Sequence, residues 1–279
     1  MGAHAVAADA PIGVFDSGVG GLSIWREIVR QMPHESTLYL ADQAHVPYGP
    51  RPAAQIRGFC DGITEHLLAA GCKAIVVACN TASAVALKPL RERFPDIPIV
   101  GLEPAVKPAA FLTRSGVIGV MATPATFQGR LYQATVGRHA AGIRVVDRVC
   151  AGLADMVESG TLDGALAQGR LAEYVRPMLE AGADVIVLGC THYPFVIEPI
   201  RRVAGTGVTV IDPSPAVARH LGNVLLHRGL HRSEGIARHR FRTTRAPADF
   251  DALAHRLIGI DIASSGLAWS GGRLVVSEG

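Results

Sequence analysis

Apolar and polar positions along this chain fall into short blocks that alternate with longer, periodic ones. Short, largely apolar runs at residues 12–15, 37–40, 75–77, 97–102, 117–121, 143–146 and 208–211, with another ending at Cys190, have the length and composition of buried parallel strands. Between them the apolar residues recur at helical spacing. Leu22, Trp25, Ile28, Val29 and Met32 line one such face, Ile56, Phe59, Cys60, Ile63 and Leu67 a second, and Val217, Leu221 and Leu225 a third. Further helices are expected near 82–93, 165–181 and 249–258, and a short one around Met156–Glu158. Strands alternating with helices predict an α/β protein with mainly parallel sheets flanked by helices. Residues 238–244 alternate Arg and His with other types, the pattern of an edge strand facing solvent. Residues 1–10 read as a mobile tail, and nothing in the carboxyl-terminal tail suggests chemistry.

Three stretches repeat in order at nearly constant spacing. IGVFDSG begins at Ile12 and IGVMATP at Ile118; ACNT carries Cys79 and GCTH carries Cys190; Glu103-Pro104 is echoed by Asp212-Pro213. Their offsets are 106, 111 and 109 positions, which predicts two related α/β halves. The acidic-Pro pairs mark the crossings. The first domain is therefore expected to comprise residues 1–103 and 213–279, the second 104–212, with a cleft between them.

Composition narrows the class. At 279 residues and 49% hydrophobic, the chain can bury a large core in one or two domains. A net charge of +3 is too small to argue for a nucleic-acid partner. No apolar run reaches membrane-spanning length, and the first eleven residues lack a signal peptide's basic and apolar regions. Five cysteines, with no CxxC pair, indicate free thiols and a reducing, cytoplasmic setting.

The candidate chemistry sits where strands end. Cys79 and Cys190 each close an apolar run and are followed by polar residues, at the end of the strand where open α/β sheets bind ligands. Buried thiols need no function, so a purely structural role is one reading. Cys79, Cys190 and His192 are too few for structural zinc, which usually takes four ligands with paired spacing. A hydrolase nucleophile at Cys190 leaves Cys79 and the repeat unexplained. Proton transfer accounts for both thiols: inverting a stereocentre takes a base on one face and an acid on the other. A free thiol has a pKa of about 8.5, so neighbours must help it ionise. Asp16 in one half and His192 in the other are placed to do so, while Ser17, Asn80, Thr81 and Thr191 offer neutral donors to a carboxylate. This scheme requires no cofactor and no metal, and lysine, present only at 73, 88 and 107, is too scarce to suggest a Schiff base. The Gly-rich turn after Asp16 reads first as a tight turn, and second as a place where backbone N–H groups approach an anion. Tyr48-Gly49, in a loop at 41–52, is either a ligand contact or loop packing. Glu158 by its own pattern reads first as a solvated helix residue and second as a functional one.

FDSGVGGLS, VPYG, ACNTASAVAL and LGCTHYP together resemble the glutamate racemases of the cofactor-independent aspartate/glutamate racemase superfamily, from about Ile12 to Arg219. The resemblance implies two pseudosymmetric α/β domains, an active site between them, a homodimer, and interconversion of L- and D-glutamate, supplying D-glutamate for peptidoglycan. It implies that Cys79 and Cys190 are the acid/base pair, Cys79 acting on the D-enantiomer and Cys190 on the L-enantiomer. Asp16 would assist Cys79. Glu158, within CAGLADMVESG, and His192 would assist Cys190. Asp16, Ser17, Tyr48, Gly49, Asn80, Thr81, Thr191 and His192 would contact substrate. An aspartate racemase, or a two-domain protein that binds a small anion without catalysis, are the alternatives. The chain departs from the family's Gly-Asp-Thr-Ala-Arg loop with Ala41-Asp42-Gln43-Ala44-His45, and from its GTPGT-like turn with Ala122-Thr123-Pro124-Ala125-Thr126.

Overall fold

The computed structural model describes residues 7–276, so most of the expected tail at 1–10 lies outside the described residues. Chain order begins β1 (Ile12–Asp16), α1 (Leu22–Gln31), β2 (Thr37–Ala41), α2 (Ala53–Ala69), β3 (Ala74–Val77), α3 (Asn80–Arg93) and β4 (Ile99–Gly101). It continues with α4 (Val106–Leu112), β5 (Val117–Ala122), α5 (Pro124–Gln128), α6 (Arg130–His139), β6 (Arg144–Val149), α7 (Leu153–Glu158), α8 (Ala165–Glu180) and β7 (Val185–Gly189). A 3-10 turn (Tyr193–Val196), α9 (Ile197–Ala204) and β8 (Thr209–Ile211) follow. Last come α10 (Ser214–His227), β9 (His239–Thr243), α11 (Pro247–Ile258), β10 (Ser264–Ser270) and β11 (Arg273–Val276).

These strands make two sheets. One has the order β11-β10-β9-β2-β1-β3-β4, the other β6-β5-β7-β8. Every pairing is parallel except β10 with β11. The internal repeat is visible in the topology, because β2-β1-β3-β4 and β6-β5-β7-β8 are the same strand order. Each central strand is buried on both faces: β1, β3 and β7 are buried throughout, and β5 at all but its first residue. That is why they read as unbroken apolar runs.

The stretch at 238–244 is not an edge. β9 lies between β2 and β10 and pairs with both in parallel. The alternation itself is real: Phe241 and Thr243 are buried, and Phe241 packs edge-on against Trp25 at 5.1 Å and near Tyr39 and Phe250. The arginines on the other face do not all meet solvent, since half-buried Arg242 bonds the ring of His66. The carboxyl-terminal hairpin β10–β11 supplies the cover that local pattern did not foretell.

Where the chain turns back on itself near its start, a fully buried ion pair joins Lys73 to Glu35 at 2.5 Å. Lys73 also donates to the carbonyls of Ala8 and Leu230, and Glu35 accepts the backbone N–H of Arg232. Three other segments converge on this one lysine.

Candidate active site

The strand order reverses direction at β1/β3 in one sheet and at β5/β7 in the other. A crevice opens at such points beyond the carboxyl ends of the strands. Asp16 and Ser17 follow β1, Cys79 follows β3, Thr123 follows β5, and Cys190, Thr191 and His192 follow β7. All but Asp16 line a single narrow cleft, together with Tyr48, Gly49, Asn80 and Thr81. The two thiols thus occupy equivalent positions in the two halves and border the same space. Thr81 Oγ1 and Thr123 Oγ1, 2.8 Å apart, join the halves at one side of it, and Ser23 Oγ donates to the Thr191 carbonyl at 3.0 Å.

Cys79 caps helix α3. Its backbone is extended, and Sγ accepts the N–H of Ala82 at 3.5 Å. Ser17 Oγ lies 3.9 Å from Sγ. Burial pushes this thiol well up, and the charge of Asp16 pushes it further; the Ala82 bond offsets only part. Asp16 is itself raised, because burial outweighs the field of His192 and the N–H bond from Gly21. Its Oδ2 accepts the N–H groups of Gly18 and Gly21 at 3.3 and 2.9 Å, which ties down the start of α1. Its Oδ1 has no partner, and neither does either amide atom of buried Asn80. Unpaired polar atoms in a dry site are costly unless something fills them, so the Asn80 amide, which borders the cleft, marks a place for a polar ligand.

Cys190 stands in a different field. Its Sγ lies 3.6 Å from His192 Nδ1, and His192 Nε2 lies 2.7 Å from Glu158 Oε1. Burial alone would lower His192, but its bonds to Cys190 and Glu158 raise it well above the ordinary histidine range. Glu158 shows the converse. Burial favours its neutral form, yet the bonds from His192, the Val19 N–H at 2.8 Å and Gln43 hold the carboxyl below its usual value. Glu158 closes α7 and is mostly buried, not solvated, so the reading from its helix pattern alone was wrong.

The glycines of the turn after Asp16 answer to this contact. None of Gly18, Gly20 and Gly21 has a positive φ. What they lack is room: a Cβ on Gly18 would lie 1.9 Å from Glu158 Oε1, and one on Gly20 would lie 2.5 Å from His192 Nδ1 and 2.6 Å from Thr191 Oγ1. The anion this turn approaches is Glu158, through the Val19 N–H. Gly20→Ala should therefore move His192 off Cys190. Misplacement by about an ångström costs on the order of a hundredfold in rate, and we expect that loss in kcat/KM with a destabilisation of about 1–3 kcal/mol. Steady-state rates and urea unfolding check both, and a variant with near-normal turnover would mean that His192 need not stand where it does.

Tyr48 is buried, not exposed at a loop tip. Its ring borders the cleft, while its hydroxyl donates to Asp42 Oδ2 at 2.7 Å. Asp42 was named from sequence only within the departing 41–45 loop, yet it organises that loop: it also accepts from Thr244 Oγ1 at 2.9 Å and Trp269 Nε1 at 2.7 Å, and meets His45 Nδ1 at 2.9 Å. The tail that carried no signal thus reaches the loop behind the cleft through Trp269. Thr123, named from sequence only in the turn that departs from the family pattern, belongs to the cleft as well. Among the described residues, no group of three or more His, Cys, Asp or Glu is arranged to hold a metal ion.

The description Asp/Glu/Hydantoin racemase matches residues 12–221 of the chain. A glutamate racemase from Roseiflexus sp. is 48% identical over 249 residues, covering 88% of this chain and 92% of that protein. The crystal structure of a Bacillus anthracis glutamate racemase superposes with a TM-score of 0.85 at 34% identity, over 95% of this chain and 98% of that one. A Francisella tularensis glutamate racemase, crystallised with D-glutamate, superposes with a TM-score of 0.82 at 30% identity, over 92% and 96%. Agreement in sequence, in fold and along nearly the whole length of these proteins leads to one conclusion: the chain belongs to the Asp/Glu/Hydantoin racemase family, among its glutamate racemases.

Proposed function

We infer that this protein interconverts L- and D-glutamate by moving a proton at the α-carbon between Cys79 and Cys190. One observation carries the mechanism: two thiols from equivalent strand ends of a repeated half border one cleft. A substrate lying between them presents opposite faces of its α-carbon to opposite thiols. Each enantiomer gives up its proton on one side and receives another on the other side, so a single arrangement serves both directions. Cys190 acts on the L-enantiomer and Cys79 on the D-enantiomer.

The supporting groups divide the work by charge. His192, held basic by Glu158, takes the proton of Cys190 and stays cationic until it returns it. Asp16 does this for Cys79. The unpartnered Oδ1 of Asp16 suits the substrate's ammonium, and once engaged there it no longer opposes ionisation of the thiol. The Asn80 amide, Thr191 and the free N–H groups at the start of α3 suit a carboxylate. Residues 1–103 with 213–279, and 104–212, serve as the two bodies that hold the cleft. The enzyme works in the cytoplasm as a homodimer, and its D-glutamate goes to peptidoglycan.

Polarimetry of the purified protein without added cofactor tests the activity. Optical rotation of L-glutamate should decay to zero while that of L-aspartate persists. Decay of aspartate alone would make the protein an aspartate racemase, and two constant rotations would make it a binding protein.

A further inference from the structure

Glu158 has two oxygens, and His192 with Val19 occupies one of them. The other, Oε2, receives the side-chain amide of Gln43 at 3.1 Å. Gln43 comes from the loop after β2, in the opposite half of the molecule from Glu158, and is itself buried at 6% exposure. Its orientation is set by a second bond. Thr243 Oγ1 accepts the N–H of Arg245 at 3.2 Å and donates its one proton to Gln43 Oε1 at 2.9 Å. With its oxygen taken, the amide must turn its NH₂ toward Glu158. An NH₂ group there can only donate, so it favours a carboxylate over a carboxylic acid. An ionised Glu158 is in turn what fixes the His192 ring with Nε2–H toward it and Nδ1 toward Cys190.

We propose that Gln43 is a positioning residue for the second thiol, holding the Glu158 carboxylate so that Glu158 keeps His192 aligned on Cys190. Sequence reading placed Gln43 only among the departures of the 41–45 loop; among the described residues it is the one side chain besides His192 that bonds Glu158. The role rests on the proton-transfer reading above. It also links the relay of one half to the loop of the other, since Thr243 on β9 and Gln43 after β2 belong to the first sheet and Glu158 to the end of α7.

The sign of the effect follows from the groups that face Glu158: His192, with Cys190 beyond it, Asp16 at the end of β1, and Tyr39, whose hydroxyl is spent on the Gly18 carbonyl. Removing a donor from Glu158 lets it keep its proton to higher pH. Activity that needs the carboxylate then fails earlier as pH falls. Gln43→Met, similar in length but without the amide, should lower kcat/KM for glutamate about tenfold, as loss of a hydrogen bond to a charged group does. The acidic limb of its pH profile should move up by about half a unit to one unit. Gln43→Glu sets a second carboxylate against the first and should move the limb further. Thr243→Val, which frees the amide to turn and also leaves the Arg245 N–H without its acceptor, should shift it in the same direction by less, and serves if the Gln43 variants fold poorly.

Circular dichroism confirms that each variant is folded. An acidic limb that stays in place in all three, whether or not rates fall, would make Gln43 a packing residue and overturn the proposal. A wild-type protein that does not racemise glutamate would instead overturn the functional reading on which the proposal stands.

Discussion

Replacing either Cys79 or Cys190 with alanine should lower racemisation by about 10²- to 10⁴-fold, the usual contribution of a general acid or base. Rates alone do not say which face each thiol serves. L- and D-glutamate have equal free energies in water, so the equilibrium constant is one and kcat/KM falls equally in both directions for every variant. Isotope exchange breaks this symmetry. In deuterated water, wild-type enzyme given L-glutamate should form D-glutamate deuterated at the α-carbon, while the remaining L-glutamate stays protiated at early times. With Cys79→Ala, slow exchange should survive for L-glutamate through Cys190 and vanish for D-glutamate. Cys190→Ala should give the mirror result. If either variant racemises within about tenfold of wild type, or if both exchange the same enantiomer, the paired-thiol assignment is wrong. The resting fields of the two thiols differ, with Cys79 held protonated by burial and Asp16 and Cys190 set beside a cationic His192. Exchange of L-glutamate in the Cys79 variant should therefore be the faster of the two.

Lys73→Met should destabilise the fold by about 3–5 kcal/mol, the cost of leaving a buried charge without its partner. Glu35 stays at zero exposure with only the Arg232 N–H to satisfy it, and the carbonyls of Ala8 and Leu230 lose their donor. Against a total stability of about 5–15 kcal/mol, this is a large fraction. Adding Glu35→Gln removes the stranded charge and should recover part of the loss. The pair lies outside the cleft, so kcat for the molecules that remain folded should match wild type. Urea unfolding of the single and double variants measures this. A loss below about 1 kcal/mol in Lys73→Met would mean that Glu35 finds another partner or water. A single lysine is thus expected to matter through stability, and a single cysteine through chemistry alone.

Most of the strands and helices were legible because their signals are local. β1, β3, β5 and β7 are covered on both sides, and burial on both faces leaves an apolar run that no loop imitates. The thiols were legible because a cysteine between such a run and a polar helix start can occupy few places in a parallel sheet. The repeat made the two thiols a pair, since equal strand order places equal positions at equal points in the two sheets. The Gly-rich turn was visible as a motif, but its cause was not. Its glycines have ordinary φ values and yield space to Glu158 and His192, which lie in the other half of the molecule.

What sequence by itself determined is therefore the class of the fold, the two thiols, and the polar residues beside them, all written within about ten residues of each strand end. What the tertiary structure alone decided is how those pieces are supported. Glu158 reaches Gln43 across 115 positions and Asp42 reaches Trp269 across 227, and β9 became an interior strand when a hairpin from the end of the chain paired with it. Side-chain periodicity reports which face of an element is buried. It does not report which distant element buries that face, because the choice is made by packing and hydrogen-bond satisfaction among segments that meet only in the folded chain.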